Sequence, residues 1–201
     1  MLCLRQDIKD RLGLNSTDTQ HDDVIDQILA GFSARADSHT GRTLTAPAAA
    51  VTEYYTGLCH LLHLRRYPII SITSVKESWT NDFTNDVTEL VEGTDFRQAS
   101  GGANGIIQKL YGIFAAAFES VQVVYRGGFA APDAVLTAGE TALPADLREA
   151  AIMQCSFVFK RRDDIGLEGV SFDGGSFSKF SAMKLLPEVA AVLDSYKRIV
   201  F

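Results

Sequence analysis

The chain has 201 residues, 46% of them hydrophobic and 22% charged, the balance of an ordinary folded domain. Nineteen Lys and Arg against 25 Asp and Glu leave a formal net charge of −6. That charge argues against a protein that wraps nucleic acid by neutralising phosphates. The apolar content excludes wholesale disorder, and no apolar run approaches the ~18 residues of a membrane helix.

The first segment predicts a short helix, with Leu4, Ile8 and Leu12 at helical spacing and Gly13 as its stop. A polar turn follows. Thr19 and Asp22 stand at the spacing of a capping box, and Asp22 and Asp23 suit the first turn of a helix. Ile25, Ile28, Leu29, Phe32 and Ala36 give that second helix one apolar stripe, and Gly41 ends it.

The pattern changes at Ala46-Pro47. From Val51 onward strand signals dominate. Tyr54 and Tyr55 lie in a β-prone run closed by Gly57. Ile70 and Ile72 are expected on one face of the next strand, with Ser71, Thr73 and Val75 on the other. Residues 79–94 are polar and read as a loop or loose hairpin. Short strands are expected around the Gly101 to Gly105 turn cluster, and Val121, Val123 and Tyr125 mark a clear strand.

Helix returns at Pro144, a residue suited to a first helical position. Residues 147–159 are apolar almost all round, broken by Arg148, Glu149, Gln154 and Ser156, so this helix must be buried on more than one side. Residues 164–181, rich in Gly, Ser and Phe, have no helical period and read as a loop. Leu186, Val189, Ala190, Leu193 and Tyr196 mark a last helix. The fold class is therefore α+β: a small helical bundle made from both ends of the chain, with an inserted antiparallel β subdomain. The expected parts are 1–45, 46–130 and 131–201.

Few residues invite chemistry. Cys3, Cys59 and Cys155 are odd in number, far apart and set among apolar neighbours, which fits buried thiols made in a reducing cytoplasm. The Gly101 to Gly105 cluster lacks the Lys-Ser/Thr of a phosphate loop. His60 and His63 would face opposite sides of a strand. Asp82 and Asp86 do not match a calcium loop, and no Gly-x-Ser-x-Gly elbow is present. No catalytic, cofactor or metal site is expected, and no enzyme activity.

The order of several short motifs resembles the head–tail connector (adaptor) proteins of tailed bacteriophages. The helix that ends His39-Thr40-Gly41-Arg42-Thr43 looks like the family's second helix. Glu53-Tyr54-Tyr55-Thr56-Gly57 resembles its first strand. Tyr67-Pro68-Ile69-Ile70-Ser71-Ile72-Thr73-Ser74-Val75 is similar to its Pro-Val-x-Ser-Val-x-Ser-Val strand. Val124-Tyr125-Arg126-Gly127-Gly128-Phe129 resembles the segment that closes the sheet, with Phe129 in place of the usual Tyr. Leu143-Pro144-Ala145-Asp146-Leu147 resembles the start of the next helix. The Gly/Ser-rich loop and the final helix also stand in the family's order, the loop with more Phe than the family pattern.

The resemblance implies a structural virion protein of the neck, made in the host cytoplasm. Such proteins form a ring, usually a dodecamer, beneath the portal protein. The ring extends the DNA channel and offers a docking surface to the tail or stopper protein. Packaged DNA would pass through the lumen without specific binding, which a net negative charge suits. No membrane partner is implied. On this reading Lys197, Arg198, Ile199, Val200 and Phe201 are the portal-contact candidates. Trp79, Asp82, Phe83 and Asp86 are the tail-side candidates, and Ile152, Phe157 and Phe159 the ring-contact candidates. The alternatives are another phage assembly protein, a stopper or tail-completion protein, or a small cytosolic enzyme.

Overall fold

The computed structural model describes residues 1–162, 169–172, 175–178 and 184–198, with backbone alone for 169–172 and 175–178. Among the described residues it is α+β, with four α-helices and antiparallel sheets. The chain divides into two compact units. One comprises Met1–Thr40 and Leu143–Lys197, the other Gly41–Ala142 and Arg198–Phe201.

The first unit holds the helices. α1 (Arg5–Leu12) ends at Gly13, whose left-handed conformation suits glycine and closes the last turn. Ile8 is its one fully buried apolar side chain. Leu4, expected in the stripe, is exposed, and Leu2 and Cys3 take its place in the core. α2 (Asp22–Thr40) buries Ile25, Leu29, Phe32 and Ala36 as its spacing predicts. The expected capping role of Asp22 is replaced by ion pairs. Its carboxylate meets Arg5 at 2.6 Å and Lys9 at 2.5 Å. Lys9, almost fully buried, also donates to the Asp18 carbonyl at 2.7 Å.

α3 (Ala145–Lys160) packs against α1, α2 and α4 (Pro187–Ser195). Much of its near-continuous apolar surface is thus covered within the chain, with Ile152 and Phe157 left half-buried. Pro144 lies one position earlier than expected, at the cap. Gln154, one of the few polar breaks, is buried. It accepts from the Leu186 N–H at 2.8 Å and donates to the Lys184 carbonyl at 3.2 Å, which ties α3 to the approach of α4. Cys3 and Cys155 are buried free thiols. The hydrogen bond with Cys3, with burial, raises the Cys155 thiol far above its ordinary range. Within 164–181, read from sequence as a loop, β8 (Gly169–Phe172) pairs antiparallel with β9 (Gly175–Ser178).

The second unit holds two sheets. One has the order β1 (Val51–Tyr55), β7 (Val121–Gly127), β3 (Ile69–Glu77), β4 (Thr88–Leu90). The other has the order β2 (Leu61–His63), β6 (Ile106–Lys109), β5 (Phe96–Gln98). Leu62, Phe96 and Ile107 of the smaller sheet share one core with Val75, Val121, Val123 and Tyr125 of the larger. β4 makes the segment after Trp79 a true hairpin with β3.

The simple alternation expected in β3 is not what forms. Register shifts between Ile69 and Ser71, and between Ile72 and Ser74, interrupt its pairing with β7. Ile69, Val75 and Glu77 are the residues buried, whereas Ile70 and Ile72 are half-buried.

Candidate functional site

Three motifs that carry the sequence resemblance meet at Arg42. Its guanidinium lies 3.4 Å from the Tyr67 ring centroid and 5.4 Å from that of Phe129, and it donates to the Tyr67 carbonyl. Such stacking uses the planar guanidinium and its charge together. Gly128 permits the approach. A Cβ there would stand 2.8 Å from the backbone of Thr45 and Ala46. A second knot forms at Glu53. Its carboxylate accepts from the Tyr125 hydroxyl at 2.8 Å, from Arg66 Nε at 3.3 Å and from the Tyr55 hydroxyl. Burial pushes both phenols well above their ordinary range, so they stay neutral donors. These motif residues form an internal frame for the second unit rather than a contact surface.

The frame ends in a rigid rim. There β1 and β3 finish and β7 begins. Lys109 bridges both oxygens of the buried Glu77, at 2.6 and 2.7 Å, and the Ala115 N–H donates to the same carboxylate at 3.1 Å. The Ser120 hydroxyl donates to the Ala117 carbonyl at 2.8 Å. Gly57 admits this loop. A Cβ at that position would fall 1.8 Å from the Ala115 carbonyl oxygen.

The tail-side candidates stand on the same rim. Trp79 is exposed. It follows Ser78, whose N–H donates to the Ser120 carbonyl at 2.9 Å. Asp86 accepts from the Thr80 N–H and hydroxyl at 3.1 and 2.8 Å. Asp82 accepts from the N–H groups of Thr84 and Asn85 and from the Asn85 amide. The Asn85 side chain, helped by those N–H groups, holds the Asp82 carboxyl below its ordinary range. Phe83 rests against the Tyr54 ring at 5.5 Å. The acids therefore build the loop.

Among the portal-contact candidates, Lys197 pairs with Asp194 at 2.7 Å and Arg198 donates to the His63 carbonyl. Ile199, Val200 and Phe201 lie outside the described residues. Among the ring-contact candidates, Ile152 and Phe157 are half-buried on α3. Phe159 is corrected to a core residue. It is buried, with the His21 ring edge-on at 5.4 Å and the Arg162 guanidinium 4.2 Å from its centroid.

His63 lies half-buried in β2 while His60 is exposed. Burial, then the nearby Arg198, lowers the His63 pKa. Among the described residues no group of three His, Cys, Asp or Glu side chains could hold a metal ion, and no helix is long and apolar enough to cross a membrane.

Sequence reasoning did not single out Leu58, Tyr111, Ile113 and Phe118, which the rim leaves exposed. Within the run 111–118 Phe114 and Ala115 are buried. Only the fold separates the two sets, because the loop follows neither a helical nor a strand period.

The fold has counterparts among solved structures. The chain matches a chain of the neck of an empty gene transfer agent particle, computed with C6 symmetry, at 16% identity and a TM-score of 0.59. The match covers 98% of this chain and 90% of that one. The fold is one found in gene transfer agent particles. A chain of the native gene transfer agent virion matches with a TM-score of 0.60 at 16% identity, over 98% and 90% of the two chains. A chain of the native neck, computed with C12 symmetry, matches with a TM-score of 0.55 at 15% identity, over 98% and 88%. No protein-family model matches this chain, and no curated protein matches its sequence.

Proposed function

We propose that the chain is a structural, non-catalytic subunit of a virion neck: a head–tail adaptor that forms a ring beneath the portal, extends the DNA channel and receives the tail or stopper protein. The observation that carries this reading is the likeness in fold, over 98% of the chain, to necks computed with C6 and C12 symmetry. The order of the sequence motifs adds to it. In this reading the four helices act as the bundle and the inserted sheets as a separate contact body. A stopper built as a compact β barrel fits four helices poorly.

The C-terminal residues 197–201 meet the portal, with apolar Ile199, Val200 and Phe201 as anchors and Lys197 and Arg198 at the edge. The Trp79 loop, with Asp82, Phe83 and Asp86, faces the tail side. Ile152 and Phe157 on α3 touch the neighbouring subunit. The net charge of −6 leaves few sites at which passing DNA would stick.

The test is co-sedimentation with portal rings of the full chain and of a chain lacking 199–201. The full chain should sediment with the portal, and the shortened chain should fold yet sediment at least about tenfold more weakly. A full chain that ignores the portal would contradict the adaptor role. Equal binding by both would remove the C-terminal contact.

A further inference from the structure

The second unit carries apolar surface at both ends of its larger sheet. At the rim, Leu58, Tyr111, Ile113 and Phe118 are 69%, 80%, 47% and 71% exposed. Backbone hydrogen bonds tie the 57–58 turn to the loop that carries the other three. Leu58 N–H donates to the Phe114 carbonyl at 3.2 Å, and Gly57 N–H to the Ala117 carbonyl at 3.3 Å. The Glu77–Lys109 pair, the Ser120 hydroxyl and the close approach at Gly57 hold that loop in one shape. Rigid display lowers the ordering cost of binding.

The other end lies seven residues along β7, about 20 Å away. There the loop 131–142 exposes Val135 at 91% and Leu136 at 48%. It too is tied down. Arg126 pairs with Glu140 at 2.6 Å, the Thr137 N–H donates to Glu140 at 2.9 Å, and Gly139 lies against the Ile70 carbonyl.

The charges at the two ends differ in sign. Exposed Glu119 and the Asp82 to Asp86 turn border the rim. Exposed Arg65 borders the opposite end, where the Arg66 carbonyl packs on Gly127, while Arg66 and Arg126 there are paired with Glu53 and Glu140. A closed ring of identical subunits requires two different surfaces that fit each other, since each copy joins the next head to tail. One apolar surface edged by exposed Glu119 and one edged by exposed Arg65, on opposite ends of one sheet, meet that requirement.

Resting on the ring reading above, we infer that the occupant of the Leu58, Tyr111, Ile113 and Phe118 surface is the Val135–Leu136 loop of the next copy of this chain. The Trp79 loop beside it stays available to the tail side.

The test places a photo-crosslinking benzophenone amino acid at Phe118 in the full chain. Rings are then isolated and the cross-linked peptides read by mass spectrometry. The expected product joins position 118 to residues 131–142 of a second copy. A paired test uses charge. Glu119→Arg should weaken assembly about tenfold, and adding Arg65→Glu should restore it. Both sites are exposed, so circular dichroism should show unchanged folding.

Intact rings whose cross-link falls elsewhere on a copy, or on another protein, overturn this contact and leave the ring reading standing. A chain that never forms rings, alone or with a portal, overturns both. Failure of the charge reversal to rescue removes the assigned polarity.

Discussion

Lys109 Nζ stands 2.6 and 2.7 Å from the two carboxylate oxygens of Glu77, where β6 meets the end of β3. Both side chains are largely buried. The same carboxylate also receives the Ala115 N–H. One acid thus fastens strand, sheet and loop together. Glu77→Gln should cost about 3 kcal/mol, because it leaves the Lys109 charge without its partner in a poorly hydrated place. Urea unfolding measures the loss, and hydrogen exchange should speed first in residues 110–119.

Gly57 is held more strictly. Any Cβ would enter the Ala115 carbonyl oxygen and crowd the Ser120 hydroxyl. Gly57→Ala should destabilise the fold by more than about 4 kcal/mol, an effect large enough to show as loss of soluble protein or a collapsed melting temperature.

Gln154→Leu tests the first unit. The substitution keeps the volume of a buried side chain and removes both of its hydrogen bonds. The Leu186 N–H and the Lys184 carbonyl are left without that partner. The expected cost is about 2 kcal/mol, read by thermal melting. A neutral outcome would mean that water reaches both groups.

Stability should fall in acid in two steps. The hydrogen bonds from Arg148 hold Asp7 below its ordinary value, and Lys197 then His39 do the same for Asp194. A carboxyl with a lowered folded pKa contributes stability above its unfolded value and loses it as pH falls through the folded one. His63 is a base disfavoured as a cation by burial, so its contribution is full at neutral pH and erodes below its unfolded value. Melting temperature against pH should decline gently below about pH 6.5 and steeply below about pH 4. Arg148→Met should flatten the lower step.

How far the sequence reaches is visible in particular elements. α2 was readable because its stripe is regular and only one face is buried. The resemblance motifs were readable as text, but their meaning was not: Arg42, Tyr67 and Phe129 are 25 and 62 residues apart along the chain and meet only in the fold. β3 misled because two register shifts break a period of two. α3 was legible as a helix buried on more than one side. Those sides are α1, α2 and α4 of the same chain, and what the helix text did not show is that Phe159 lies inside while Ile152 and Phe157 stay half-buried. The exposed set Tyr111, Ile113 and Phe118 had no signal, since an apolar residue in an irregular loop looks the same whichever way it turns.

The proposed ring-forming role in a neck makes a visible demand on the purified protein. Negative-stain microscopy of the purified full chain, with and without portal, addresses it most directly. A neck subunit should give closed rings, free or capping the portal, with sixfold or twelvefold averages. Particles that stay monomeric at every concentration and never decorate the portal would contradict it.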